Sequence, residues 1–181
     1  MGYSFTVPDK NWAREPIERT EILWIVIAGS WCLFMFCWMI AWHWIGNQNM
    51  NTEAYKTFPD VYAKKTEDFT KQYTVRQDAS DPSLPVVAPP PGSDVYIAGS
   101  IFQWRPVLEL QKGKSYRLHI SSLDYVHGFS LQPENINFQA YPGYEQVITV
   151  TPNKAGTYGI VCNDYCGLGH HTMLGRIYVK E

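Results

Sequence analysis

Residues 162–173 read Cys-Asn-Asp-Tyr-Cys-Gly-Leu-Gly-His-His-Thr-Met. Two thiols stand four residues apart, a histidine follows four further on, and a methionine three beyond that. Thiolate and thioether sulfur with imidazole make a soft donor set that favours copper over hard cations. Asn163, Asp164 and the neighbouring glycines suit a tight loop between two strands, where backbone turns back around an ion. Other readings stay open on the residues alone. Cys162 and Cys166 can form a disulfide, which leaves the His and Met spacing without a purpose. They can also bind zinc with His127 and His170 as a tetrahedral Cys2His2 set, which leaves Met173 unused. A mononuclear blue copper site takes one cysteine, two histidines and a weak methionine, so a second cysteine points beyond one copper.

Working outward, the best further histidine is His127 in Asp124-Tyr125-Val126-His127-Gly128-Phe129, just after the expected strand 116–121. His119 lies within that strand and reads as a surface or otherwise satisfied β residue. Between residues 94 and 181, the stretches 95–98, 107–110, 116–121, 146–150, 158–162 and 176–179 are rich in β-branched and aromatic side chains. Gly113, Pro133, Pro142-Gly143, Pro152-Asn153 and Gly156 separate them. Short strands at this spacing predict a β-sandwich or barrel. A core of this size is modest, so a bound metal would add stability. Charge gives no sign of nucleic-acid binding: Lys+Arg is 15 against Asp+Glu 17, a net charge of −2. With aromatics at 15%, the chain is not disordered, and four cysteines are too few for a disulfide scaffold.

Residues 46–93 read as a linker, with a short helix from 59 to about 73 opened by Pro59. Pro82, Pro85, Pro89, Pro90 and Pro91 then predict a stiff, extended spacer between body and membrane. Residues 22–45 contain no Asp, Glu, Lys or Arg; as a helix they would be about 36 Å long, enough to cross a bilayer. No small-residue cleavage site follows them, so they read as one uncleaved anchor, with Trp38, Trp42 and Trp44 at the interface. Lys10, Arg14 and Arg19 before the span favour a cytoplasmic segment 1–21 and a body, 94–181, on the outer, periplasmic face of the plasma membrane. Cys32, Met35 and Cys37 read as packing residues within the span, and His43 as facing headgroups or a partner.

The loop resembles the dinuclear copper loop of cytochrome c oxidase subunit II, in the haem-copper terminal oxidases, whose pattern is Cys-x3-Cys-x3-His-x2-Met. Cys162, Cys166, His170 and Met173 match it at every spacing, and residues 121–129 look like the family's stretch around its other histidine ligand. The resemblance implies a cupredoxin-like β-sandwich, or Greek-key barrel, tethered by one N-terminal transmembrane helix. It implies two copper ions bridged by Cys162 and Cys166, one carrying His127 and the other His170. Met173 and the carbonyl of Asp164 would be weak ligands, and His171 a neighbour. A closed site of this kind transfers electrons and binds no substrate. The chain would accept electrons from a soluble cytochrome c or small copper protein and pass them to haem in the catalytic subunit I. There oxygen is reduced to water and protons are translocated.

Two departures stand out. Asp164 occupies a position that usually holds Glu or Gln, and its shorter side chain counts against the magnesium site that Glu supports in relatives. The single span resembles the B-type branch. Phe102-Gln103-Trp104 resembles the aromatic stretch that receives electrons over the copper site, with Trp104 equally readable as core. Glu18 is the better match, over Glu21, to the start of a proton path, the plainer reading being a solvated helix end. Two rivals keep the copper: the copper-bearing subunit of a nitric oxide reductase, and a membrane-tethered copper-binding or delivery protein.

Overall fold

A computed structural model describes residues 16–46 and 53–181. They fall into two units, one within Met1–Gln48 and the other within Asn49–Glu181. Lys10 and Arg14, on which the expected orientation partly rests, lie outside the described residues.

The first unit is one helix, α1 (Arg19–Ile45). Nothing in its apolar run interrupts a helix, and at about 1.5 Å per residue it is roughly 40 Å long. Glu21 Oε2 accepts the Glu18 amide at 3.0 Å, and Glu18 stands at the helix N-cap. Gly46 closes the other end by donating to the Trp42 carbonyl. Among the described residues α1 is the helix long and apolar enough to cross a membrane. Cys32 and Cys37 are free thiols within it.

The second unit is a two-sheet β-sandwich with one helix. In chain order its elements are β1 (Glu53–Lys56), α2 (Pro59–Tyr73), β2 (Thr74–Gln77), β3 (Pro85–Val87), β4 (Asp94–Ser100), β5 (Gln103–Arg105) and β6 (Val107–Gln111). They continue with β7 (Tyr116–Ser122), β8 (His127–Gln132), β9 (Ile136–Ala140), β10 (Tyr144–Val150), β11 (Gly156–Val161) and β12 (Leu174–Lys180). One sheet runs β1-β10-β7-β4-β5, the other β2-β3-β6-β12-β11-β8-β9. Parallel pairs β4–β7, β3–β6 and β6–β12 sit among antiparallel ones.

Alternation along the strands builds the core. Val95, Ile97, Leu118, Ile120 and Ile148 of the first sheet meet Leu108, Leu110, Phe129, Leu131, Ile160 and Ile177 of the second. The residues between them on the first sheet, among them Tyr96 and His119, face the other way, and α2 covers them. Phe69 and Tyr62 of α2 pack on the Tyr96 ring, and the Tyr62 hydroxyl bonds the carbonyls of Ile97 and His119.

The six expected strands are present, with ends moved by a few residues. The linker at 46–93 is not. Its helix forms at Pro59–Tyr73 as expected, but the chain on both sides is folded into the body. β1 pairs with β10, while β2 and β3 extend the second sheet. Tyr62, Leu84, Val86 and Val87 are buried. The proline-rich stretch is extended only over residues 85–90: a turn closed by the Leu84 amide on the Asp81 carbonyl precedes it, and another at Pro91-Gly92 follows. An extended chain with Pro at the first position of a short strand can join a sheet as well as span a gap. Val86 and Val87 then bury on opposite faces, one with Leu84 and Val107 and the other in the main core.

Candidate metal centre

The loop of residues 162–173 is the hairpin connection between β11 and β12. Cys162 follows the last residue of β11 and Met173 precedes the first of β12. The Cys162 amide donates to the Met173 carbonyl at 3.2 Å, so the loop opens and closes on one rung of the ladder. Between these stems a single 3-10 turn, His170–Thr172, brings His170 back toward the cysteines. β8 lies beside β11, which sets His127, its first residue, against the start of the loop. Gly128 makes this approach possible: a Cβ there would lie 2.0 Å from Asn163 Oδ1 and 2.7 Å from the Asp164 amide.

The side chains converge. Ligand atoms of His127, Cys162 and Cys166 all lie within 4.8 Å of one another. Cys162 Sγ is 3.7 Å from Cys166 Sγ and 3.2 Å from the Asp164 carbonyl. Cys166 Sγ lies 3.7 Å from His170 Nδ1 and 3.8 Å from Met173 Sδ. All six atoms that the sequence singled out therefore meet in one cluster. His171 is exposed at its edge. The cysteines are free thiols, not a disulfide.

His127 is wholly buried, and its Nε2 lies 2.8 Å from Asp124 Oδ1. Burial raises the Asp124 carboxyl. Bonds from His127 and from the amides of Ile101 and Tyr125 outweigh this and hold it below its ordinary value. An ionised carboxylate only accepts, so Nε2 is the donor of this pair, and in that tautomer the ring's lone pair lies on Nδ1. That atom is buried without a hydrogen-bond partner. An orphaned imidazole nitrogen costs free energy in a protein interior. Here it sits beside two thiols, the arrangement a soft metal would satisfy. Burial, then the bond to Cys162, pushes the Cys166 thiol up to about 11.

The aromatic stretch divides in two. Phe102 lies over the loop, where a Cβ on Gly169 would come within 2.3 Å of its ring. Trp104 is 1% exposed, its ring set edge-on to His127 and Phe129 at 5.9 and 5.2 Å. Trp104 therefore lies beneath the sheet surface, while Phe102 is the partly exposed member of the stretch. Around Phe102 the surface is apolar, with Ile101, Tyr125 and Tyr165 beside Cys166. Tyr165 is 75% and Leu168 92% exposed. His119, as expected, is satisfied, but by burial and two carboxylates: Nδ1 lies 2.5 Å from Glu145 and Nε2 3.0 Å from Asp94. Asp124 was not singled out from the sequence, although an acid three residues before a candidate ligand histidine is a readable signal.

The family described as cytochrome C oxidase subunit II, periplasmic domain, matches residues 104–180. A cytochrome c oxidase subunit 2 of Thermus thermophilus is 34% identical over 177 residues, covering 96% of this chain and 99% of the relative. A solved haem-copper terminal oxidase dimer contains a chain that superposes with a TM-score of 0.58 at 20% identity, over 90% of this chain and all of the other. A variant of rusticyanin superposes at 0.51 with 20% identity, over 72% of this chain and all of its own. The cupredoxin-like fold is common to them.

Proposed function

Because the chain belongs to the cytochrome c oxidase subunit 2 family, and so is a subunit of a haem-copper terminal oxidase, we propose that it is the part that receives electrons, at a dinuclear copper centre. Cys162, Cys166, His127 and His170 would hold the two coppers, with Met173 and the Asp164 carbonyl as weak ligands. When bound, such a pair exchanges one electron at a time. The supporting observation is the convergence of these six atoms, with the Nδ1 of His127 left unspent among them.

The protein's share is to keep that donor set fixed. The hairpin stems are held by the β11–β12 ladder and His127 by a strand end, so the ligands need little movement as charge changes. Phe102 excludes water from the loop and offers the outer contact. The apolar surface around it suits a soluble cytochrome c or small copper protein that docks by contact rather than by charge. Electrons then leave to haem in the catalytic subunit, where oxygen is reduced to water and protons are moved. The single span α1 and the B-type resemblance go together, with the copper body on the outer face. Glu18 at the helix N-cap is the residue to examine for proton uptake.

Copper counting and electron paramagnetic resonance on the full chain in detergent test this reading. Two coppers per chain with one unpaired electron shared over both nuclei are expected. One labile copper, or spin confined to one nucleus, rejects it in favour of a delivery protein.

A further inference from the structure

We propose that Asp124 is a positioning residue of the metal centre, its two carboxylate oxygens tying the ring of His127 and the backbone that carries Phe102 to a single point. The inference rests on the copper reading above, in which His127 is a ligand.

The geometry is specific to each oxygen. Oδ1 accepts from His127 Nε2 at 2.8 Å and from the Tyr125 amide at 2.7 Å, with the Ser122 hydroxyl at 3.4 Å. Oδ2 accepts the Ile101 amide at 2.7 Å, across 23 residues of chain. The residue after Ile101 is Phe102, whose ring lies on Gly167 and Gly169 of the cysteine loop. One carboxylate thus reaches the ligand from behind and the cover from the side. A residue needed only for the 122–125 turn would not have to meet either of them. A negative charge on the far nitrogen of a ligand imidazole makes the near nitrogen a stronger donor and fixes its tautomer. That charge also favours the more oxidised, more positive state of whatever the ring holds.

Two substitutions separate the two ties. Asp124→Asn keeps an acceptor for His127 Nε2, removes the charge, and turns a donor toward the Ile101 amide. Asp124→Ala removes both ties. In full chain purified in detergent and titrated with copper against a chelator, Asp124→Ala is expected to lose affinity by about 10–100-fold. It is also expected to change the copper hyperfine pattern. Asp124→Asn is expected to lose less affinity and to move the reduction potential upward. His119→Gln, at the other carboxylate-bound histidine, is expected to alter none of the three.

Wild-type affinity, hyperfine pattern and potential in both Asp124 variants, with unchanged circular dichroism, would overturn the inference and leave Asp124 a turn residue. If Asp124→Ala fails to fold, Asp124→Asn decides alone: an unmoved potential overturns the inference. If wild-type chain itself takes up no copper pair, the proposed function fails, and that failure is visible before either variant is made.

Discussion

Two buried histidines sit in different parts of this sandwich, each against an acidic side chain, and their ring nitrogens are spent differently. His119 lies under α2, stacked on Tyr96 at 4.7 Å, with both ring nitrogens against carboxylates. Glu145 is bonded in turn by Lys65, and Asp94 by Arg117, so every polar atom around that ring is spent. His127 has one nitrogen against Asp124 and the other facing two thiols with no bond made. Burial and a carboxylate neighbour do not distinguish a ligand from a structural histidine. An unspent lone pair does, because a protein interior leaves one only where something else completes it.

The comparison breaks most severely if the body is cut where the sequence alone would place its start. A fragment of residues 94–181 loses the α2 cover over His119 and the buried side chains of Tyr62, Phe69, Leu84, Val86 and Val87. At about 1.5–3 kcal/mol each, that burial is on the order of a domain's whole stability. The fragment is expected not to fold by circular dichroism, whereas one beginning at residue 49 folds and takes up copper. Next in size, the same substitution made at each histidine should separate their roles. His127→Gln is expected to abolish the shared-spin copper signal and leave thermal unfolding little changed. His119→Gln keeps the signal and loses about 3 kcal/mol in urea unfolding, since two acidic partners lose their donor. Tyr62→Phe, which removes the hydroxyl bonded to the His119 and Ile97 carbonyls, is expected to cost about 1–2 kcal/mol with the copper signal intact.

Acid probes a third closed network. Asp78 is buried, bonded by Tyr178 at 2.5 Å and Arg176 at 3.2 Å. Burial raises its carboxyl, but Tyr178, the Asp81 amide and Arg176 together hold it below its ordinary value. A depressed folded value means the contribution is full above the unfolded carboxylate value and is lost as pH falls through the folded one. Urea midpoints measured downward from about pH 5 should therefore fall more steeply in the parent than in Asp78→Asn.

Much of the candidate metal centre was legible because the residues proposed to hold the metal sit close together in sequence: five of the six lie in one loop whose spacing is itself the pattern. His127 was found because it follows an expected strand. The signal for Asp124 lay in the same stretch, but its second bond, to Ile101, is a long-range contact no spacing reveals. The apolar helix α1 and the six expected strands carry strong apolar patterns, whereas β8, as long as β11, was not among those expected. β2, β3 and β5 are three or four residues long, too short to show a period. β3 opens on the same prolines that a free linker would have. Whether such a chain is bound depends on partners at residues 107–108, which local composition does not contain. Trp104 was ambiguous for a similar reason, since an aromatic at a strand end looks alike whether it faces a partner or the core.

The single rung joining Cys162 to Met173 has a consequence for heredity. A hairpin zipped at its stems can gain, lose or exchange residues between them without shifting any strand out of register. Five of the six proposed donor atoms lie inside that stretch or on its stems. Most of the donor set can therefore be exchanged within twelve consecutive codons, His127 being the one donor supplied from elsewhere in the sandwich.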